Sequence, residues 1–225
     1  MKFPTYKYEI QKYAKGFKLV AGCDEVGIAP LAGPVVAASV ILDPDSIGKQ
    51  RSKHKWWYRV RDSKTTDEKE RVLLVNFIKD HCLDFGIGVV AQDMIDEINI
   101  HQAAMLAMKK SVEGLKRKPD FLFVDGLHKI KTVEEIAQEA MIDGDVKILS
   151  ISAASIIAKV ARDEILKNLH EEFPVYGFME HKGYGTRLHR QALKKFGVSP
   201  VHRKSFTFVQ EVLRHFCSVR NFQKL

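Results

Sequence analysis

Two adjacent acidic residues inside an apolar segment are the first place in this chain where side chains could do chemistry. Asp24 and Glu25 follow the apolar run Leu19-Val-Ala-Gly-Cys23, which is typical of a buried strand. Removing a carboxylate from water costs on the order of several kcal/mol, and a neighbouring like charge raises the pKa of one of the two groups. We therefore expect a cation beside them, and a hard divalent metal ion is the natural candidate because it takes oxygen ligands.

Two further acids lie in similar surroundings. Asp125 ends the apolar run Phe121-Leu-Phe-Val, and Asp163 lies in the segment Ser150-Ile-Ser-Ala-Ala-Ser-Ile-Ile-Ala-Lys-Val-Ala-Arg-Asp163. A single acid at the end of a strand is more often a loop cap, but that interpretation fits an adjacent pair plus two more acids poorly. Acids from distant segments are what a two-metal phosphoryl-transfer site requires, with the metals about 3.5–4 Å apart.

The predicted helix that carries Asp163 has one polar face. Residues 152, 155, 159 and 163 are spaced by three or four, so Ser, Ser, Lys and Asp share that face. Such a stripe is usually a solvated face. The hydroxyls and the ammonium group also suit phosphate oxygens, and the presence of the other acids favours this functional interpretation.

The hydrophobic pattern predicts an α/β protein. Strands are expected at 18–23, 34–42, 85–91, 120–124 and 146–149, and helices at 66–80, 96–115, 152–171, 187–196 and 207–217. Hairpin-like strands followed by strand–helix units predict a five-stranded mixed sheet flanked by helices, with a small helical C-terminal extension. We expect a catalytic core over 1–175 and a helical substrate-binding region over 176–225.

Net charge and cysteine content indicate the kind of partner and the cellular compartment of this protein. The 225 residues carry a formal net charge of +8, which favours a polyanionic partner. The three cysteines have neither metal-ligand spacing nor the pattern of a disulfide framework, so a reducing cytoplasm is expected. No apolar run approaches the roughly 18 residues of a membrane span. We expect a cytoplasmic monomer that does not bind membranes.

A basic and aromatic segment interrupts the order of elements at 49–64. It contains seven basic residues, three aromatic residues and one acid. One interpretation is a nucleic-acid contact, in which Lys and Arg pair with phosphates and rings stack on bases. The other is a solvated surface loop with Trp56 and Trp57 packed beneath it, and the sequence favours neither.

Eight short motifs together resemble those of ribonuclease HII, the type 2 ribonuclease H of the ribonuclease H-like fold. Each alone is weak, but their order and spacing over about 18–210 are specific. They are Ala21-Gly-Cys-Asp-Glu-Val-Gly27, Pro30-Leu-Ala-Gly-Pro-Val-Val-Ala-Ala38, Asp62-Ser-Lys64, Asn99-Ile-His-Gln-Ala103, Val124-Asp-Gly126, Ala153-Ala-Ser-Ile-Ile-Ala-Lys-Val-Ala-Arg-Asp163, His181-Lys-Gly-Tyr-Gly-Thr186 and His202-Arg-Lys-Ser-Phe206.

The resemblance implies a metal-dependent endonuclease. Its substrate would be an RNA–DNA hybrid or DNA containing ribonucleotides, cut in the RNA strand to leave 5′-phosphate and 3′-hydroxyl ends. The four family carboxylates would hold two Mg²⁺ or Mn²⁺ ions with substrate bound, and they fall on Asp24, Glu25, Asp125 and Asp163. The substrate-binding positions fall on Gly27, Ile28, Ala29, Lys64, Asn99, Gln102, Ser155, Lys159, Lys182 and Tyr184.

Two of these positions have specific family roles. Lys64 matches the phosphate-binding lysine, and Tyr184 matches the tyrosine that packs on the deoxyribose next to a ribonucleotide. The tripeptide Gly27-Ile28-Ala29 departs from the family's usual Gly-Arg-Gly, which contacts ribose 2′-hydroxyls largely through its backbone. Ile28 lacks the cation and donor fork of arginine, and Ala29 adds a Cβ. We therefore expect a reduced preference for single embedded ribonucleotides.

The sequence also allows two functions other than hybrid cleavage. The chain could be a non-catalytic hybrid-binding protein, or a nuclease of the same fold that acts on DNA junctions. No proton donor is identifiable, although His181, His189 and His202 lie in the appropriate half of the chain. Residues 210–217 partly resemble a sliding-clamp-binding box, but Cys217 replaces its second aromatic residue. We expect an amphipathic helix that covers the core and no clamp binding.

Overall fold

The computed structural model describes residues 3–49, 68–133 and 135–222. Lys64 and the basic aromatic segment from residue 50 onward lie outside these described residues. Neither interpretation of that segment is therefore tested, and the phosphate-binding role of Lys64 stays a prediction.

Five strands of the described chain form one mixed sheet, in the order β3-β2-β1-β4-β5. The strands are β1 (Val20–Val26), β2 (Val35–Leu42), β3 (Cys82–Val90), β4 (Phe121–Asp125) and β5 (Ala137–Met141). Strand β1 is antiparallel to β2 and parallel to β4, and β4 is parallel to β5. The predicted five-stranded mixed sheet is confirmed.

Nine α-helices accompany the sheet in the described part of the chain. They are α1 (Lys7–Tyr13), α2 (Pro44–Lys49), α3 (Glu68–Asp80), α4 (Gln92–Ile98), α5 (Ile100–Glu113), α6 (Leu149–Glu172), α7 (Phe178–His181), α8 (Arg187–Phe196) and α9 (Thr207–Phe222). Short 3₁₀ turns occur at Lys131–Val133, Gly144–Val146 and Pro174–Tyr176. None of the described helices combines the length and apolar character needed to cross a membrane.

The strand expected at 146–149 is wrong. The fifth strand is β5, and residues 146–149 instead link a 3₁₀ turn to the start of α6. Ile148 and Leu149 are fully buried there. Val146, Ile148 and Leu149 are apolar, and so short an apolar stretch does not distinguish a strand from a buried helix start. Strand β5 itself, Ala137-Gln-Glu-Ala-Met141, is half-exposed at the sheet edge and lacks an apolar pattern.

The helix expected at 96–115 is two helices, separated at Asn99. This residue has φ 70° and ψ 164°, a backbone region that is populated almost only by glycine and costs about 1–3 kcal/mol. Its side-chain Oδ1 accepts hydrogen bonds from the N–H groups of His101 and Gln102. These bonds cap α5 and offset part of the strain.

The chain packs as two compact units. Unit 1 comprises Met1–Val26, Val36–Val89 and Ala104–Ala161, and unit 2 comprises Gly27–Val35, Val90–Ala103 and Arg162–Leu225. In unit 1, Phe121 and Phe123 of β4 pack against Ile148 and Ile151. In unit 2, Phe178, Leu193 and Val209 belong to a separate core. The predicted domain division at 175/176 stays a prediction.

Candidate active site

The position of Asp24 follows from a close approach between α6 and β1. A Cβ on Gly22 would lie 2.3 Å from the backbone nitrogen of Ile151, so only glycine lets the helix approach so closely. Side chains two apart on a strand share a face, which places Asp24 on the same side as Gly22. Ser155, one turn beyond Ile151, hydrogen-bonds the Asp24 carboxylate. The acid is therefore held against α6 and is 5% exposed.

Asp125 is held by the 3₁₀ turn at Gly144–Val146. Its Oδ1 accepts a hydrogen bond of 2.7 Å from the N–H of Gly144, and the N–H of Asp145 also donates to its carboxylate. The turn is tight, because a Cβ on Gly144 would lie 2.6 Å from Cδ1 of Ile151. This arrangement brings a further acid, Asp145, close to Asp125.

Burial and like charges raise the pKa of all three predicted acids of unit 1. Burial raises the pKa of Asp24 well above its ordinary value, and the charges of Glu25 and Asp125 raise it further. Burial, followed by the charge of Asp125, raises the pKa of Glu25 to about 7. Burial also raises the pKa of Asp125, against the opposing N–H of Gly144. The structure thus brings Asp24, Glu25 and Asp125 together.

Sequence reasoning missed Asp145. Its negative charge contributes to the raised pKa of each of the other three acids of unit 1. The available signal was Asp143-Gly144-Asp145, an acidic turn directly before an apolar helix. Asp163, the predicted fourth ligand, is 6% exposed and belongs to unit 2. Its role as a ligand stays a prediction.

The described acids are near one another but are not arranged as a finished metal site. Over the described ranges, no three His, Cys, Asp or Glu side chains stand in an arrangement ready to hold a metal ion. Within the same residues, Glu25 Oε2 is buried and has no hydrogen-bond partner. Burying a carboxylate oxygen without a donor costs free energy, and a bound cation or water molecule would remove that cost.

The predicted substrate contacts divide between the two units. Unit 1 carries Ser155 and Lys159. The contacts in unit 2 are Gly27, Ile28, Ala29, Asn99, Gln102, Lys182 and Tyr184. Ala29, Asn99 and Gln102 are exposed, and Tyr184 is 43% exposed. These side chains are accessible to a ligand, and their contacts with substrate stay predictions.

His189 and His202 form a buried hydrogen-bonded chain in unit 2, and the His181 ring stacks on the His189 ring with the centroids 4.4 Å apart. Ser199 donates its N–H to Nδ1 of His202, and the Nε2 atoms of His202 and His189 lie 3.0 Å apart. Nδ1 of His189 donates to the carbonyl of Tyr184 at 2.9 Å. Burial lowers the pKa of His189 to about 4 and that of His202 to about 3. Neutral histidines that support the Tyr184 backbone are poor proton donors.

Comparison with known proteins shows the family to which this fold belongs. The family model described as Ribonuclease HII matches residues 21–209. Ribonuclease HII of Acetivibrio thermocellus is 48% identical over 200 residues, which cover 89% of this chain and 74% of that protein.

Two solved structures share the fold. Ribonuclease H2 from Pyrococcus horikoshii has a TM-score of 0.73 and 26% identity, and the match covers 88% of this chain and 99% of the other. The complex of PCNA with RNase HII from Archaeoglobus fulgidus gives a TM-score of 0.69 and 25% identity, covering 84% and 96%. The family model matches most of the chain and the relative from Acetivibrio thermocellus is 48% identical, so this chain belongs to the ribonuclease HII family and is a ribonuclease H.

Proposed function

We propose that Asp24, Glu25, Asp125 and Asp145 hold divalent metal ions, Mg²⁺ or Mn²⁺, with two ions present when substrate is bound. Asp145 takes the place that the sequence prediction gave to Asp163. The observation that carries this proposal is the group of raised acid pKa values in one part of unit 1. Mutual repulsion keeps such carboxylates from ionising together, and divalent cations remove that penalty.

The donor set fits hard cations. All four side chains offer carboxylate oxygens, the ligand type that Mg²⁺ prefers, and buried Glu25 Oε2 lacks a donor among the described residues. Bound ions would lower the pKa of the attacking water and stabilise charge on the leaving 3′-oxygen. Ser155 orients the Asp24 carboxylate, while the N–H groups of Gly144 and Asp145 orient that of Asp125.

The proposed reaction is hydrolysis of the RNA strand in an RNA–DNA hybrid, leaving 5′-phosphate and 3′-hydroxyl ends. Family membership and the net charge of +8 support a nucleic-acid substrate. Lys64, Lys159 and Lys182 would contact phosphates. Tyr184, which is partly exposed in unit 2, would pack on a deoxyribose. Asn99, Gln102 and Ser155 would complete the contacts.

The test is cleavage of an end-labelled RNA–DNA hybrid by purified protein, with and without Mg²⁺ or Mn²⁺. We expect metal-dependent products with 3′-hydroxyl ends and no cleavage of an all-DNA duplex of the same sequence. Tight hybrid binding without cleavage would instead identify a non-catalytic binder. Cleavage of the all-DNA control would identify a nuclease that acts on DNA.

Reduced incision at single ribonucleotides is a further part of the proposal. Ile28 cannot supply the cation of the family's arginine, and a longer hybrid offers more phosphate contacts that compensate. The test compares one embedded ribonucleotide with a tract of four or more, before and after Ile28→Arg plus Ala29→Gly. We expect the double change to raise incision at the single ribonucleotide by roughly tenfold or more. Efficient incision by the unchanged chain with no gain from the double change would contradict this.

The remaining proposals concern location and partners. The cysteines Cys23, Cys82 and Cys217 are free, which supports a reducing cytoplasm. The Archaeoglobus protein is recorded in complex with PCNA. For this chain we propose that residues 210–217 cover the unit 2 core, because Val212 is 5% exposed within that core. A monomeric state also stays a proposal.

A further inference from the structure

Two arginines in unit 2 are completely buried. Arg162 and Arg203 are each 0% exposed. The salt bridges found among the described residues involve neither of them. A buried guanidinium is costly unless hydrogen bonds compensate its charge, so the groups that accept these bonds must be held in fixed positions around it.

All of the side-chain acceptors of Arg203 are backbone carbonyls of one turn. Its Nη2 donates to Gly27 O at 2.6 Å and to Pro34 O at 3.2 Å, and Nη1 donates to Ile28 O at 2.9 Å. Its Nε donates to Gly33 O at 3.0 Å. The rigid guanidinium therefore joins both ends of the segment 27–34 and fixes two consecutive peptide groups of the tripeptide.

The orientation of these carbonyls fixes the orientation of the neighbouring donors. In a trans peptide the C=O and N–H groups point in opposite directions, and no cis peptide occurs in the described residues. Since Gly27 O and Ile28 O point at Arg203, the N–H groups of Ile28 and Ala29 point away from it. Gly27 has φ +101°, and a Cβ there would lie 2.4 Å from Nε of Arg162, so glycine is required. Two successive N–H groups with one orientation form a donor pair for an oxygen ligand.

Arg203 is itself held in place from three sides. Its N–H donates to Leu31 O at 2.9 Å, and its guanidinium lies 5.2 Å from the centre of the Phe206 ring. The Asp96 carboxylate accepts the N–H groups of Lys204 and Ser205, each at 2.8 Å. The backbone around the arginine therefore has little freedom, and its contacts with the tripeptide are fixed before a ligand binds.

We infer that Arg203 is a positioning residue for ribonucleotide recognition. It would set the backbone so that the N–H groups of Ile28 and Ala29 donate to the ribose 2′-hydroxyl oxygen of the substrate. This inference rests on the proposed function and deepens it. It also explains how a chain with Ile28 and Ala29 in place of arginine and glycine keeps part of the recognition element, because the two backbone donors remain when the arginine cation is lost.

Arg162 provides a matched control. It is as buried as Arg203, and it also donates to carbonyls, those of Ala32 at 3.3 Å, Pro34 at 3.1 Å and Lys182 at 3.0 Å. None of these acceptors belongs to the tripeptide. Arg162 also packs against Gly27, so Arg162→Lys reports the damage of changing a buried arginine that touches the tripeptide without bonding its carbonyls. Arg214→Lys repeats the chemical change at an exposed site.

The experiment measures binding in EDTA, so that it is independent of the proposed metal site. A labelled DNA duplex with one ribonucleotide is compared with an all-DNA duplex of the same sequence, and melting temperatures are recorded. We expect Arg203→Lys to reduce the preference for the ribonucleotide duplex by about tenfold, with all-DNA affinity unchanged. Arg214→Lys should keep the preference, and Arg162→Lys should keep most of it at a comparable loss of melting temperature.

Three results would overturn the inference. These are no ribonucleotide preference in the unchanged protein, a full preference in Arg203→Lys, and equal losses in Arg162→Lys and Arg203→Lys that follow their melting temperatures. Failure of the proposed function looks different, because hybrid cleavage would be absent while the preference in EDTA persists. If Arg203→Lys does not fold, Ala29→Pro removes one donor and leaves Arg203 intact. A preference retained in Ala29→Pro would equally overturn the inference.

Discussion

At the scale of residues, the acids of unit 1 favour function over stability. Glu25 has a folded-state pKa of about 7 against an ordinary value of 4.5, and Asp24 and Asp125 are shifted in the same direction. A raised pKa means that the folded state binds more protons than the unfolded state. The free energy of unfolding therefore falls as pH rises from about 4.5 through 7. Without metal, this site should destabilise the protein most in mildly alkaline buffer.

Asp125→Asn tests this cost. The amide still accepts the hydrogen bond from Gly144 but removes a charge that raises the pKa of Glu25. In EDTA at pH 8 we expect the variant to be more stable than the unchanged protein by about 1 kcal/mol, discounted for the partial exposure of Asp125. The difference should shrink towards zero at pH 4.5, as measured by urea unfolding at both pH values.

The shifts of Glu9, His189 and His202 are common to both proteins, so they cancel in this comparison. If the variant and the unchanged protein are equally stable at pH 8, the acids do not repel each other. The same conclusion follows if the stability of the variant relative to the unchanged protein is lower at pH 8 than at pH 4.5. Turnover with Mg²⁺ should be abolished by the same change.

At the scale of elements, the packing of helix α9 bears on whether residues 210–217 cover the core or form a docking motif. Val209 is fully buried and Val212 nearly so, in the same core as Leu193. We expect Val212→Asp to lower the free energy of unfolding by about 3 kcal/mol, because it buries a charge without a partner. Glu211→Ala, at an exposed neighbouring position, is the control and should change stability by under about 0.5 kcal/mol.

Urea unfolding measures both variants, and a pull-down with a sliding clamp accompanies it. Val212→Asp with unchanged stability, together with clamp binding by the unchanged protein, would mean that the segment is a docking motif rather than a core helix.

Sequence patterns predicted the elements that have strong apolar periodicity and missed those without it. Strands β1, β2 and β4 stand out because their apolar residues are largely buried in the sheet, and β3 stands out by its apolar sequence although Ile87 and Val89 are exposed. Strand β5 does not, since an edge strand with Gln138 and Glu139 carries little pattern. The sequence also did not predict the break at Asn99. An asparagine with positive φ between two helices leaves their shared apolar pattern uninterrupted.

At the scale of the whole molecule, the same limits apply to the site. Asp24, Glu25 and Asp125 were predictable because each follows an apolar run, where a buried carboxylate is costly and therefore indicates a specific role. Asp145 lies in a polar turn, where acids are ordinary, and only the fold brings it near Asp125. Arg203 is harder still. Arginine is normally exposed, and its four acceptors are about 170 residues away in sequence.

The central claim is that Asp145 completes the acid cluster that binds metal for cleavage. The most direct measurement compares Asp145→Asn with Asp163→Asn in hybrid cleavage with Mg²⁺ and in calorimetric Mn²⁺ binding. We expect Asp145→Asn to lower turnover by about a hundredfold or more and to weaken Mn²⁺ binding, with its melting temperature in EDTA unchanged or raised. We expect a smaller effect of Asp163→Asn on Mn²⁺ affinity. Near-normal turnover and Mn²⁺ affinity in Asp145→Asn, with both lost in Asp163→Asn, would contradict the account.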